Sequence, residues 1–254
     1  MEVNKIELQF NKIWSSYFYK KNATLVENGR QAIVNSLLLL KSKNVALPTY
    51  TCHRVLQACL MAGTNPYLVD CTDDLQIDIN AIPKNVDTVI VPHMFGIQAD
   101  IKTIKNTYNV KVIEDCSQCI GLLNLGKYSD IVIASTGPTK WLNAGDNKEK
   151  GGAILAYNKD KEYDFYSFEI GSKLNEMFFE IPNRLDSRKR KAEELINAGI
   201  DLIGKDKPNS YLRAMYYGRQ TRTPYTPLHD IYPGFNCPNV DKFKNNLEWI
   251  SIFP

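Results

Sequence analysis

Three short runs decide how this chain folds: Thr88-Val89-Ile90-Val91, Lys111-Val112-Ile113-Glu114-Asp115 and Ile131-Val132-Ile133-Ala134-Ser135. Each core of Val and Ile is unbroken rather than alternating. A strand with one wet face alternates apolar and polar side chains, whereas a strand covered on both faces does not, so these runs predict strands of a buried, mostly parallel sheet. Between the first two, residues 101–108 carry apolar side chains at helical spacing. The same alternation extends outward. Residues 23–26 are strand-like and end at Asn28-Gly29, and residues 31–40 are helical. Residues 44–47 stop at Pro48, and residues 53–62 form a helix that ends at Gly63, a natural position just past a helix end. Residues 66–69 and 152–156 complete the set of strands. Repeated β-α units imply an α/β fold with helices on both faces of the sheet, and ligands in such sheets sit at the carboxyl ends of the strands. Asp115, Ser135 and the Asn28-Gly29 turn lie at such ends.

The chain has 254 residues, 44% of them hydrophobic, and a net charge of +3. That length suits a large domain with a smaller piece attached, divided here into residues 1–165 and a shortened C-terminal part over residues 166–254. The small net charge is no polyanion-binding footprint, so nucleic acid is not an expected partner. No secretory signal is visible in Met1-Glu2-Val3-Asn4-Lys5. The most apolar run, residues 33–40, is too short to cross a bilayer. The six cysteines are expected as reduced thiols in a soluble cytoplasmic protein. Residues 177–197 are expected to be helical, with the basic run Arg184 to Lys191 as a solvated face. Residues 205–209 read as a loop.

The richest stretch chemically is Ser135-Thr136-Gly137-Pro138-Thr139-Lys140, which follows a buried strand. A lysine on a glycine-bearing loop at that place can serve as a nucleophile toward carbonyls. Asp115 puts a carboxylate at the end of another apolar strand, where a cationic partner is needed. A Schiff-base lysine together with an aspartate facing a pyridinium nitrogen is what proteins contribute to pyridoxal phosphate chemistry. Each residue alone also fits an ordinary surface lysine and a strand-end carboxylate.

The set as a whole resembles the DegT/StrS-type sugar aminotransferases, which are fold-type-I pyridoxal-phosphate enzymes. The resemblance rests on segments in collinear order: Glu27-Asn28-Gly29, Leu47-Pro48-Thr49-Tyr50-Thr51, Val91-Pro92-His93-Met94-Phe95-Gly96, Glu114-Asp115-Cys116-Ser117-Gln118, Ser135 with Pro138-Thr139-Lys140, Gly151-Gly152-Ala153, Pro227-Leu228-His229 and Ile250-Ser251-Ile252-Phe253-Pro254. It implies a large domain with a mostly parallel sheet and a shortened C-terminal α+β part, with pyridoxal 5′-phosphate as cofactor. Lys140 would condense with the cofactor and shuttle the proton. Asp115 would keep the pyridine nitrogen protonated, and Gln118 would lie near the phenolic oxygen. Ser135 and the helix opening at Gly29, Arg30 and Gln31 would bind the phosphate. Tyr50 and Cys52 fall where the ring is held, and Tyr50 and His229 would face substrate. The implied partners are a nucleotide-linked keto-sugar, an amino-acid donor such as glutamate, and a second subunit in a homodimer. The implied setting is surface polysaccharide or amino-sugar biosynthesis.

The sequence departs from the family pattern in three places. Cys52 stands where relatives stack an aromatic ring. Gly171 falls where relatives donate an Asn to the neighbouring subunit. The chain also stops where relatives continue. These departures motivate an alternative, a non-catalytic relative acting as a scaffold or sugar-binding protein. Cys116 and Cys119 have redox-motif spacing but read as incidental thiols, with no metal site expected. His93 reads as a packing residue, Asp70 and Asp78 as caps, and Tyr216, Tyr217 and Arg219 as weak candidates for contact with a nucleotide.

Overall fold

Side chains alternate between the two faces of a strand, so each buried strand must feed two separate cores, and the fold follows from how those cores are covered. The computed structural model describes residues 2–145, 151–218 and 225–252. Seven strands form the main sheet: β1 (Asn22–Val26), β2 (Asn44–Pro48), β3 (Asn65–Val69), β4 (Thr88–Pro92), β5 (Lys111–Asp115), β6 (Ile131–Ser135) and β7 (Ala153–Tyr157). Their lateral order is β1-β7-β6-β5-β4-β2-β3. Strands β3, β2, β4, β5 and β6 run parallel, while β7 is antiparallel to both β6 and β1.

The helices are α1 (Glu2–Tyr17), α2 (Gly29–Leu40), α3 (His53–Met61), α4 (Ile101–Thr107), α5 (Phe168–Phe178), α6 (Ile181–Asn197), α7 (Leu228–Ile231) and α8 (Pro238–Phe243). On one face Val45, Leu47, Ile90, Ile113, Ile131 and Ile133 pack against α2 and α3. The intervening residues point the other way. Ala46, Val89, Val91 and Val112 meet Ile101 and Ile104 of α4. Val132, Ala134 and Ile154 meet Phe10 and Trp14 of α1, Phe18 just beyond it, Leu174 of α5 and Leu185 of α6. The unbroken apolar runs therefore mark strands buried on both sides, as expected. A second sheet pairs β8 (Arg213–Tyr217) with β9 (Leu247–Ser251) antiparallel. Among the described residues, no helix is long and apolar enough to cross a membrane.

Three features depart from the sequence reading. Helix α1 was not anticipated, although Phe10, Trp14 and Phe18 recur every four residues. The helical stretch over residues 177–197 is broken at Phe179 and Glu180, and Pro182 opens α6 where a missing N–H costs nothing. Within the basic run, Arg188 is buried rather than solvated. Its guanidinium lies 5.1 Å from the Trp141 ring centroid and donates to Tyr211 O at 3.1 Å, and burial, with the nearby Arg184 charge, lowers its pKa to about 10. Gly171 is buried in α5, where a Cβ would lie 2.7 Å from the Phe165 ring. Asp78 caps a short turn through Asn80 N–H at 2.9 Å, and Asp70 caps α8 from a distance through Asn239 N–H at 2.8 Å and Val240 N–H at 3.0 Å. Arg219, Phe253 and Pro254 lie outside the described residues.

Candidate active site

The carboxyl ends of β5 and β6 and the N-termini of α2 and α3 enclose a cavity of about 280 Å³. Lys140, Asp115, Ser135, Gly29, Arg30 and Cys52, all singled out from sequence, line it. Asn28, Arg54 and Ser117 line it too, with Ile33, Val55 and Ile133 as its apolar wall.

Ser117 organises the strand ends. Its N–H donates to Asp115 Oδ1 at 2.9 Å, and its hydroxyl oxygen accepts from Ser135 N–H at 2.8 Å. Asp115 is buried, and among the described residues no ion pair holds its carboxylate. A desolvated carboxylate with a single hydrogen bond calls for a cation at its open side.

Lys140 is half-buried on the loop after β6, with its N–H bonded to Gly137 O at 3.0 Å. The loop is anchored on both sides of it. Thr136 N–H donates to Gly152 O at 3.1 Å, and Thr136 O accepts from Ala144 N–H at 3.0 Å. Trp141 is buried and donates its indole N–H to Ser210 O at 3.3 Å.

Helix α2 begins at the cavity. Asn28 is its N-cap, with Oδ1 accepting from Gln31 N–H at 2.9 Å. The N–H groups of Gly29 and Arg30 belong to the first turn, for which the helix itself supplies no acceptor. A Cβ on Gly29 would lie 3.0 Å from Ser135 Cβ, so a larger residue would crowd the end of β6. First-turn N–H groups, a hydroxyl and an arginine together make an anion site.

Four candidates from the sequence do not line this cavity. Gln31 bonds Asn35 Oδ1 through its side chain at 2.9 Å. Gln118 sits behind the cavity, accepting from Phe95 N–H at 3.0 Å and donating to Tyr225 Oη at 3.4 Å. Tyr50 is fully buried, edge-on to Tyr225 with ring centroids 6.1 Å apart and to Phe243 at 5.6 Å, and burial pushes its hydroxyl pKa up. His229 is held between Thr49 Oγ1 at 2.7 Å and Asp241 Oδ1 at 3.0 Å. Tyr225, which sequence reasoning missed, accepts from Gln118 Nε2 at its hydroxyl oxygen and lies near Lys140; burial pushes its hydroxyl up and the Lys140 charge opposes this.

The remaining polar groups are structural. His93 Nδ1 accepts Ala99 N–H at 3.0 Å, so the ring proton sits on Nε2, which donates to Glu114 Oε1 at 2.8 Å. Glu114 Oε2 in turn accepts Gly126 N–H at 2.8 Å. Cys116 and Cys119 are buried free thiols whose pKa burial pushes up, which suppresses thiolate chemistry.

A lysine and a buried carboxylate facing one cavity beside a helix N-terminus, at the carboxyl ends of parallel strands, fit the donor set of a pyridoxal-phosphate protein. The chain belongs to the DegT/DnrJ/EryC1/StrS aminotransferase family, whose family model matches residues 3–176. It is 32% identical over 182 residues to a 3-oxo-glucose-6-phosphate:glutamate aminotransferase of Bacillus subtilis (strain 168), covering 65% of this chain and 40% of that protein. It is 28% identical over 150 residues to a UDP-N-acetyl-3-dehydro-alpha-D-glucosamine 3-aminotransferase of Acidithiobacillus ferrooxidans, covering 53% of this chain and 40% of that protein. The aligned part thus spans about two fifths of the length of these relatives. Among solved structures, 3-amino-5-hydroxybenzoic acid synthase superposes with a TM-score of 0.81 at 17% identity, over 97% of this chain and 85% of that one. NtdA from Bacillus subtilis with bound PMP superposes with a TM-score of 0.75 at 22% identity, over 96% and 72%. At these identities the structural likeness speaks for the fold.

Proposed function

We propose that this chain binds pyridoxal 5′-phosphate in the cavity of Lys140 and moves an amino group from an amino acid, glutamate, to the keto group of a nucleotide-linked sugar. The single observation that supports this most is the placement of Lys140 and Asp115 on one small cavity with the α2 anion site beside them. The residues fit the cofactor on their own chemistry: a buried carboxylate that wants a cation, an amine, and a cradle at Gly29 that a Cβ would crowd.

Bound there, the cofactor supplies an electron sink that stabilises negative charge on a substrate carbon. The chain does the rest. Asp115 Oδ1 is oriented by Ser117 N–H, leaving the carboxylate to hold a proton on a ring nitrogen by charge. Lys140 Nζ carries the proton between carbon positions as general base and then general acid, and its loop is kept in place by Trp141 and Thr136. Ser135 Oγ and the first-turn N–H groups of α2 orient the phosphate. Residues 1–165 would be the cofactor-binding part and residues 166–254 a second, smaller part. The homodimer, the cytoplasmic setting and a role in polysaccharide or amino-sugar synthesis belong to the same proposal.

Titration with the cofactor, followed by absorbance, tests this reading. The wild type should give the visible band of lysine-bound cofactor, and glutamate should shift it to the amine form. Lys140→Ala should stay folded and give no such band; a normal band in that variant would refute the assignment. The second reading, a scaffold or sugar-binding relative, draws on the buried Gly171 and on the thiol of Cys52 in place of a ring. It predicts a band that no amino acid shifts.

A further inference from the structure

Arg30 and Arg54 enter the cavity from different helices, α2 and α3. Arg30 Nη1 donates to Gln57 Oε1 at 3.5 Å, and Arg54 Nη1 donates to the same oxygen at 3.1 Å. One neutral amide thus gathers two guanidinium groups. Two like charges brought together repel, and an amide oxygen neutralises neither of them. Among the described residues, neither arginine forms an ion pair with a carboxylate. Each guanidinium carries five N–H donors, so most of their capacity remains for another acceptor.

The cavity is also polarised. Asp115 is the one carboxylate among the described residues lining it, and it lies at the β5 end. The arginines lie at the helix end, together with the N–H groups of Gly29 and Arg30. An anion entering the cavity is repelled from Asp115 and drawn toward the arginines.

We propose that Arg30 and Arg54, coupled through Gln57, form a clamp for a phosphate monoester dianion. Planar guanidiniums bind such a group bidentately, and two of them match its charge. The proposal deepens the cofactor reading and rests on it, adding Arg54 and Gln57 as binding and positioning residues. A phosphate monoester can come from the cofactor itself or from a sugar phosphate, and the two sources are separable by experiment.

The test measures binding by calorimetry to the wild type, Arg30→Gln and Arg54→Gln, with circular dichroism as the check on folding. The probes are pyridoxal 5′-phosphate, pyridoxal without its phosphate, glucose 6-phosphate and glucose. If the cofactor is the source, each variant weakens pyridoxal 5′-phosphate by about tenfold or more and leaves pyridoxal within about twofold. If a sugar phosphate is the source, the cofactor binds as in the wild type. Glucose 6-phosphate on the cofactor-loaded variants is then weakened by about tenfold, with glucose unaffected. Variants that bind both phosphate esters as the wild type does overturn the clamp. A wild type that binds no cofactor overturns the reading of the cavity instead, and glucose 6-phosphate binding to wild type and Arg54→Gln then decides the clamp separately.

Discussion

At Cys52 the cavity presents a thiol, and this is the one cysteine of the six that is not buried. Burial pushes the thiols of Cys59 to about 12 and Cys237 to about 11, so both stay protonated at neutral pH, and Cys71, Cys116 and Cys119 are raised further in the same direction. Alkylation of the native protein with iodoacetamide, read by peptide mass spectrometry, should therefore modify Cys52 first, and pyridoxal 5′-phosphate should slow that reaction. Labelling of Cys116 or Cys119 at the same rate would contradict the packing described here. Residues of the site were legible in proportion to how local their signal is. Asp115, Ser135 and Lys140 each end or follow an apolar strand, and Gly29 opens a helix, so spacing drew attention to them and the family resemblance gave them roles. Ser117 escaped notice because it acts largely through a backbone N–H that bonds its own neighbour. Arg54 and Tyr225 escaped because nothing local marks them, and only the fold brings them beside Lys140.

At the scale of elements, α4 offers a clean test of capping. Asp100 Oδ1 accepts Thr103 N–H at 2.9 Å, and Oδ2 accepts the Thr103 hydroxyl at 2.6 Å. Asp100→Ala should lower the free energy of unfolding in urea by about 1 kcal/mol. Burial alone would raise the Asp100 pKa, but the Thr103 hydroxyl and N–H outweigh it and hold the carboxyl below its ordinary 3.8. A depressed carboxyl stabilises the fold fully above its unfolded pKa and loses that contribution as pH falls through the folded one. The gap between wild type and variant should thus shrink from about pH 6 to about pH 3; a gap that widened on acidification would reverse the sign. The β/α alternation was readable because strands buried on both faces leave long Val/Ile runs. Strands β8 and β9 were not, since each is mixed in composition, and what stabilises them is a partner far along the chain. The break between α5 and α6 hid inside the largely apolar run Met177-Phe178-Phe179-Glu180-Ile181, which reads as continuous helix, and Pro182 was its local mark.

Across the whole molecule, the loop carrying Lys140 is held by parts of the chain remote from it. Trp141 lies in the core shared by α1, α5 and α6, its ring under Arg188 of α6 and its indole N–H on Ser210 O. The segment containing Ser210 is in turn bonded to the loop after β4, through Ser210 N–H to Gly96 O at 2.9 Å and Leu212 N–H to Phe95 O at 3.0 Å. Gly96 has φ +99°, and a Cβ there would come within 2.8 Å of Tyr211 N, so glycine is what lets the two segments touch. Phe95 N–H closes the circuit on Gln118 Oε1. The later part of the chain is therefore structural support for the site, which composition could not disclose. Trp141→Ala should cost about 3–5 kcal/mol of stability, the range for emptying a buried aromatic site. It should also weaken cofactor binding under conditions where the variant is still folded. Ile104→Ala, in the separate core beneath α4, should cost about 2–5 kcal/mol while leaving cofactor binding unchanged. Guanidinium unfolding and absorbance titration on both variants make the comparison. If the two lose cofactor affinity equally, the coupling runs through global stability alone and the specific support by Trp141 is wrong.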